Sequence, residues 1–382
     1  MSLTKTNVMH VRNTRKERTR FTFLFDWKPV PYCTDYKYLG SNINEFLSFK
    51  FTVEKHSESA GRALSVIVTK MIKNNGFPYN VYSLLISACV NSVSDYCAAI
   101  TGFSQYESLE KVQLRAIRAF LGLPKNTCSS GVFSEVDLLL PHLRTRLIMV
   151  RYYHRMLCLS DRRITKKVFI WDRTLNESNR IKTWYSEVRE IFTSAGVEAN
   201  SIPNSIFNLG VTIENLNSSF KKKQMELLSN ECQTKPKLRT FLTFKNFQEM
   251  PAYITKSFTI HQRRIMAKLR LGCLPLRIET GRYSRPRLNE ADRICLICKP
   301  GDNIAEIDEN DRQPVENEIH FLFQCTAYQG LRDQWFRDMG LAEDFEALEI
   351  EDKLKMILNN PTYVKKTSQH ILKCMDLRSK LI

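Results

Sequence analysis

The sequences CLIC at residues 295–298 and HFLFQC at residues 320–325 decide how the carboxyl-terminal part of the chain can fold. Two cysteines separated by two residues can turn both sulfurs inward from one tight loop, and a histidine and a cysteine separated by four residues can complete a tetrahedron from the end of a helix. Zinc is the metal that such donors prefer. Four protein ligands leave no open position, so we predict a structural rather than a catalytic Zn²⁺. The predicted ligands are Cys295, Cys298, His320 and Cys325.

The segment between the two ligand pairs, residues 299–319, is 21 residues long and is longer than a compact metal knuckle needs. Its seven acidic residues and its Pro-Gly pair indicate a solvated insertion. Lengthening such a loop from about 8 to about 21 residues costs roughly 0.9 kcal/mol, whereas structural zinc contributes on the order of 10 kcal/mol. The insertion should therefore not abolish the site. The alternative is two core thiols beside an unrelated His–Cys pair.

The charge balance points to a polyanionic partner. The chain carries 57 Lys and Arg against 40 Asp and Glu, a net charge of +17. The longest apolar segment, residues 82–93, is too short to cross a bilayer. We therefore expect RNA and DNA as partners before any membrane.

The cysteines and the amino terminus indicate a reducing compartment. The eleven cysteines are mostly isolated, and the first twenty residues are polar and basic without the apolar core of a signal peptide. We expect a protein of the nucleus, the cytoplasm or both that is not secreted, with its isolated thiols buried as small hydrophobic groups.

The hydrophobic pattern predicts a mainly α, multi-domain fold. Alternation over residues 21–25 and an extended piece over residues 36–40 predict a small β-hairpin element near the amino terminus, and the Cys/His set predicts a small zinc module near the carboxyl terminus. Helical periodicity dominates elsewhere. The predicted helices cover residues 54–75, 79–100, 105–121, 133–160, 218–232, 260–271 and 363–381. A further short amphipathic helix is indicated by Trp184, Val188, Ile191 and Phe192.

Changes in composition divide the chain into five regions. The predicted regions are a β element (1–50), a helical region (51–173), a poorly marked helical linker (174–240), a basic region with the zinc module (241–340), and an acidic segment with a closing helix (341–382).

The densest basic stretch predicts a nucleic-acid surface. Residues 263–287 contain eight positive residues against Glu279 alone, and a tyrosine lies among them. Arginine bonds phosphates with a planar fork, and an aromatic ring can stack on a base. The predicted contacts are Arg263, Arg264, Lys268, Arg270, Arg277, Arg282, Tyr283, Arg285 and Arg287. A second set, on the helix over residues 105–121, is Lys111, Arg115 and Arg118. The alternative for both sets is a solvated helix face.

Several segments together resemble one family, the reverse transcriptases of non-LTR (LINE-type) retrotransposons. KTNVMHVRN at 5–13 and YKYLGSNINEFLSF at 36–49 resemble the end of that family's palm. LEKVQLRAIRAFLGLPK at 109–125 is similar to the helical segment after the thumb, and RRITKKVFIWD at 162–172 resembles a stretch further downstream. The ligand region, residues 295–328, is similar to the family's carboxyl-terminal zinc-binding motif.

The resemblance implies roles for particular residues. Tyr38, Leu39 and Gly40 look like the family's primer-grip hairpin, although they can equally be packing residues of a hairpin. The family's function implies binding of template RNA and target DNA, largely without sequence specificity.

The catalytic part of that family has no counterpart in the sequence. Its polymerases hold two metal ions with an adjacent pair of aspartates, and this sequence contains no Asp-Asp pair. Because two-metal phosphoryl transfer needs such carboxylates, we assign no catalytic residues. We expect a truncated carboxyl-terminal portion of an RNA-directed DNA polymerase, running from the palm end to the zinc motif and inactive by itself. The alternative is a zinc-stabilised helical scaffold for protein interactions, derived from a retroelement.

Overall fold

The computed structural model describes residues 6–179, 181–256, 258–298, 314–341 and 343–382. Helices dominate these residues, and the strands form two small antiparallel hairpins close to the amino terminus. The prediction of a mainly α fold with a small amino-terminal β element is therefore confirmed. Within the described part of the chain, no helix is long and apolar enough to span a membrane.

The four strands are short. They are β1 (Leu24–Phe25), β2 (Lys28–Pro29), β3 (Asp35–Tyr38) and β4 (Ser41–Asn44), paired β1 with β2 and β3 with β4. Each pair is joined by a two-residue turn whose residues both have positive φ, 50° and 59° at Asp26 and Trp27 and 47° and 87° at Leu39 and Gly40. Turns of this kind match the twist of antiparallel strands.

The helices are mostly amphipathic and vary greatly in length. The longer ones are α1 (Phe49–Lys73), α2 (Tyr79–Leu85), α5 (Glu107–Leu121), α7 (Pro141–Cys158), α8 (Ile164–Asn179), α9 (Trp184–Ser194), α10 (Leu209–Gln233), α13 (Ile260–Arg270), α15 (Gln329–Met339), α17 (Ile350–Asn359) and α18 (Val364–Leu381). The shorter ones are α3 (Ser92–Ser94), α4 (Ala98–Thr101), α6 (Ser129–Ser134), α11 (Phe241–Phe244), α12 (Ala252–Thr255), α14 (Arg277–Thr280) and α16 (Glu343–Ala347). π-helical turns cover Ile86–Asn91 and His320–Gln324, and 3₁₀ turns cover Ala199–Ser201, Pro236–Leu238 and Thr326–Tyr328.

Two of the predicted helices are interrupted. The helix expected over residues 79–100 changes to a π turn at Ile86–Asn91 and then breaks into short pieces. The helix expected over residues 133–160 is divided between α6 and α7, because Pro141 lies at the first position of α7, where its missing N–H costs nothing. Helices α8, α15 and α17 were not predicted.

The described chain divides into two compact units, each made of three separate segments. The first unit contains residues 1–67, 84–113 and 139–224, and the second contains 68–83, 114–138 and 225–382. The five regions expected from composition are a different, sequential division, which stays a prediction.

An aromatic cluster forms the centre of the first unit. Tyr153 on α7 lies 5.9 Å from the ring of Phe169 on α8 and 6.2 Å from that of Tyr185 on α9. The indole of Trp184 donates to the carbonyl of Ala99 at 3.0 Å. Aromatic pairs at these distances add to the stabilisation from burial.

A buried ionic cluster lies in the second unit. Glu135 is fully buried and forms two bonds with Arg270, at 2.8 and 3.1 Å. Tyr253 donates its hydroxyl to the same carboxylate, and Lys245 lies 3.7 Å away. The two cations hold the pKa of Glu135 below its usual value against the opposing effect of burial, so the carboxylate stays charged. A buried carboxylate such as that of Glu135 is tolerated only while its cationic partners remain.

We expect Arg270→Met to lower the free energy of unfolding by about 3–5 kcal/mol, because it leaves the carboxylate of Glu135 underpaired in the core. Urea denaturation followed by circular dichroism measures the loss. Lys380→Ala is the control, because Lys380 forms an exposed pair with Asp376 whose removal should have no measurable effect. Equal stability of the two variants would contradict this account of the cluster.

Candidate metal centre

The structure brings all four predicted ligands together. The ligand atoms of Cys295, Cys298, His320 and Cys325 lie within 4.8 Å of one another. The sulfur of Cys298 is 3.3 Å from Nε2 of His320 and 3.1 Å from the sulfur of Cys325. Three sulfurs and one imidazole in such a cluster can hold a metal ion.

Two backbone segments close the loop between the ligand pairs. Ile294 and Val315 form an antiparallel bridge. The amide of Cys295 donates to the carbonyl of Pro314 at 3.0 Å, and the amide of Glu316 donates to the carbonyl of Arg293 at 3.0 Å. The chain therefore enters and leaves the insertion at neighbouring points, so the long gap leaves the ligand geometry intact.

The prediction of a solvated insertion is wrong for its last acidic residues. Glu316 and Glu318 are 1% and 2% exposed. Glu316 accepts from Arg378 of α18 at 2.9 Å and from the amide of Arg277 at 2.7 Å, and Glu318 forms a two-bond pair with Arg239. Burial raises the pKa of both carboxyl groups, and the arginines oppose it. The other five acids of the insertion lie outside the described residues.

Local contacts orient the ligands. The amide of Cys298 points to the sulfur of Cys295 at 3.5 Å, and the amide of His320 donates to the side chain of Asn317 at 2.9 Å. A π turn from His320 to Gln324 brings the last ligand, Cys325, back to the cluster. Cys295, His320 and Cys325 are buried, and Cys298 is partly exposed.

The cluster favours a negative charge. A hydrogen bond from the Cys325 thiol lowers the pKa of Cys295 well below its usual value, and the same bond raises the pKa of Cys325. One sulfur is thus a thiolate at neutral pH, stabilised by the other donors of the cluster. Cysteine binds a metal cation such as zinc in its thiolate form, so this charge state suits a metal site.

Two of the predicted nucleic-acid contacts lie inside the second unit. Arg263 and Arg270 are 4% and 1% exposed. Arg270 belongs to the ionic cluster with Glu135, and Arg263 donates to the carbonyls of Phe120 and Phe77. Seven residues apart on α13, both side chains point from the buried face of that helix, so neither one contributes to a basic surface.

The other predicted contacts of this stretch differ in exposure. Arg264, Lys268, Arg277 and Arg282 are half-buried, and Arg282 pairs with Glu279 at 3.3 Å. Tyr283, Arg285 and Arg287 are exposed. The structure therefore concentrates the accessible members of the set in residues 283–287, which we call the arginine loop.

Arg293 anchors the arginine loop. This residue is 4% exposed, and its guanidinium donates to the carbonyl of Ile278 at 3.0 Å and to that of Leu288 at 3.0 Å. The amide of Leu288 donates to the carbonyl of Gly281 at 3.1 Å, which closes the loop. Arg293 lies two residues before Cys295, so one short segment connects the metal ligands to the arginine loop. Arg293 has no distinguishing signal in the sequence, because several other arginines precede it closely.

The predicted contacts on α5 also differ from one another. Lys111 is exposed and pairs with Glu107 at 2.9 Å. Arg115 is exposed, whereas Arg118 is half-buried and donates to the carbonyl of Thr127 at 2.8 Å.

The primer-grip-like residues lie at the β3–β4 turn. Tyr38 and Leu39 are 58% and 75% exposed, so they are not packing residues of the hairpin. The hydroxyl of Tyr96 donates to the carbonyl of Leu39 at 2.7 Å and fixes the turn. Gly40 has a φ of +87°, a value that favours glycine.

We find no protein-family model, curated protein or solved structure that matches the chain. The resemblance to LINE-type reverse transcriptases therefore stays a prediction that depends on the quoted motifs.

We expect the purified chain to bind one Co²⁺ per molecule, with the thiolate charge-transfer and d–d absorption bands of a tetrahedral sulfur-rich site. Cys298→Ser should weaken these bands, because it removes one sulfur donor. Cys273→Ser is the matched control, since Cys273 is half-buried and its sulfur lies 3.4 Å from Thr127 Oγ1, outside the cluster. Identical spectra for the two variants would exclude the cluster as the binding site.

Proposed function

We propose that the chain is the nucleic-acid-binding, zinc-stabilised carboxyl-terminal region of a LINE-type reverse transcriptase, without polymerase activity of its own. The observation that carries this proposal is the meeting of the two ligand pairs within 4.8 Å, since these pairs form the zinc-binding motif of the resemblance. The rest of the proposal depends on the order of the other motifs along the chain.

The metal in this proposal is a structural Zn²⁺. Cys295, Cys298, His320 and Cys325 would fill all four positions of a tetrahedral ion, which leaves none for substrate or water. The ion would then join the turn at the first cysteine pair to the π turn at His320, and through Arg293 it would fix the arginine loop.

The arginine loop is the proposed contact with nucleic acid. Arg285 and Arg287 are exposed for phosphate contacts, and the ring of Tyr283 is 58% exposed for stacking. The Tyr283 hydroxyl accepts from Lys237 at 2.7 Å and from Asn126 at 3.0 Å, which holds the ring in place. Phosphate contacts make binding salt-dependent, and stacking on a base does not distinguish one base from another. Binding should therefore depend on salt and show weak sequence specificity.

We expect the double variant Arg285→Ala, Arg287→Ala to weaken binding to a single-stranded RNA and to a DNA duplex of unrelated sequence. Each lost phosphate contact should reduce the slope of log K against log salt by about 1. Fluorescence anisotropy between about 50 and 200 mM salt measures both effects.

The matched control for that experiment is Arg337→Ala, Lys380→Ala, which removes the same charge from exposed positions on α15 and α18. An equal loss of affinity in the two double variants would show that net charge, and not the arginine loop, drives binding. Binding that does not change with salt would contradict the proposal itself.

The second candidate is an interaction scaffold, and the exposed face of α8 favours it. Ile164, Val168 and Trp171 are 80%, 56% and 64% exposed at the four- and three-residue spacing of a helix–helix contact. An apolar stripe of this kind is typical of a protein-binding face.

If the chain is a scaffold, filter binding should detect neither RNA nor DNA. Trp171→Ala should then abolish any concentration-dependent association seen by sedimentation velocity, because it removes the largest exposed ring of the stripe. If the association persists in Trp171→Ala, a surface other than the α8 stripe is responsible for it.

A further inference from the structure

A cavity of about 610 Å³ lies in the second unit, between the turn after α1 and the start of α13. Its size is that of pockets that hold small organic ligands. The lining residues that bear on its chemistry are Gly76, Phe77, Tyr79, Lys256, Phe258 and Arg263.

Arg263 places a buried positive charge beside this cavity. Its Nε donates to the carbonyl of Phe120 at 3.2 Å and its Nη1 to that of Phe77 at 3.1 Å, but its Nη2 has no partner. Among the described residues, no carboxylate forms an ion pair with it, in contrast to Arg270 and Arg378. A buried cation without a counter-ion is costly unless a ligand supplies one.

The guanidinium stays charged in spite of its surroundings. Burial, together with the neighbouring Arg264, lowers the pKa of Arg263 to about 10. That value is still far above neutral pH, so the group carries a full positive charge under ordinary conditions. The ligand that complements it is therefore an anion.

Gly76 lies next to the buried Nη2 of Arg263. Its φ is +105°, and a Cβ atom at this position would lie 3.5 Å from Nη2 of Arg263 and 3.3 Å from Cβ of Ile260. A side chain here would crowd Nη2, the guanidinium nitrogen that has no hydrogen-bond partner.

The other walls suit a planar, partly apolar group. Phe77, Tyr79 and Phe258 are half-buried aromatic residues of the lining, and Lys256 adds an exposed positive charge. Aromatic faces stack on nucleobases without regard to sequence, and arginine and lysine together suit a phosphate.

We propose that this cavity binds a nucleoside phosphate, with the phosphate over Gly76 facing Arg263 and Lys256 and the base against the aromatic walls. The ligand is either a free nucleotide or the terminal 5′-phosphate of a strand, which present the same group. The site is separate from the arginine loop, so the proposal does not depend on the function proposed above.

Isothermal titration calorimetry of the full chain with AMP and with adenosine tests the site. We expect AMP to bind at least tenfold more tightly than adenosine, because only AMP supplies the counter-ion. Equal affinities, or no heat from AMP, would overturn the proposal. A 5′-phosphorylated oligonucleotide compared with its unphosphorylated form then distinguishes a strand end from a free nucleotide.

Gly76→Ala should weaken AMP binding at least tenfold, because its methyl group crowds Nη2. Gly196→Ala is the matched control for backbone strain, because Gly196 has a φ of +93° and nothing within 4 Å of an added Cβ. Circular dichroism of both variants verifies the fold.

Arg263→Gln, which keeps donors but removes the charge, should also lose AMP binding. Unchanged AMP affinity in Gly76→Ala or in Arg263→Gln would refute the site, whereas unchanged affinity in Arg285→Ala, Arg287→Ala would separate it from the arginine loop.

Discussion

The second unit depends on one constraint, that two ligand pairs 21 residues apart in sequence must meet at one point. Backbone bonds between residues 293–295 and residues 314–316 meet this constraint by bringing the two ends of the insertion together. Glu316 then ties this junction to α18 through Arg378 and to the start of α14 through the amide of Arg277. A metal ion in the cluster would stabilise a closure that hydrogen bonds and a buried ion pair already define.

Buried charge pairs explain why the number of basic residues overstates the basic surface of the chain. Arg270, Arg378 and Arg239 are each matched with a buried glutamate, Glu135, Glu316 or Glu318. Each pair removes a positive charge from the surface and stabilises the contact between distant segments, provided that neither partner is lost. Arg293, which is buried without a carboxylate partner in the described part of the chain, instead donates to carbonyl oxygens and so holds residues 283–287 in place.

The sequence could predict features that depend on near neighbours. The ligand set followed from spacing within each pair, strand β3 from the extended pattern of residues 36–40, and α13 from its period and from the glycine after it. Features that depend on distant partners could not be predicted. The burial of Arg263 requires the carbonyls of Phe77 and Phe120, and that of Glu316 requires Arg378, all far away in sequence. The π turn at Ile86–Asn91 has no local signal in composition.

The interleaving of the two units has a consequence for biosynthesis. Four of their five boundaries fall within helices, in α1, α2, α5 and α10, so these helices contribute residues to both units. During translation, the second unit cannot assemble until the ribosome has released residues 225–382, which form most of it. A cut anywhere in residues 174–240, where composition suggests a linker, would not yield two self-sufficient halves. Domain dissection by truncation is therefore the wrong tool for this chain, and point substitutions in the intact polypeptide are the informative approach.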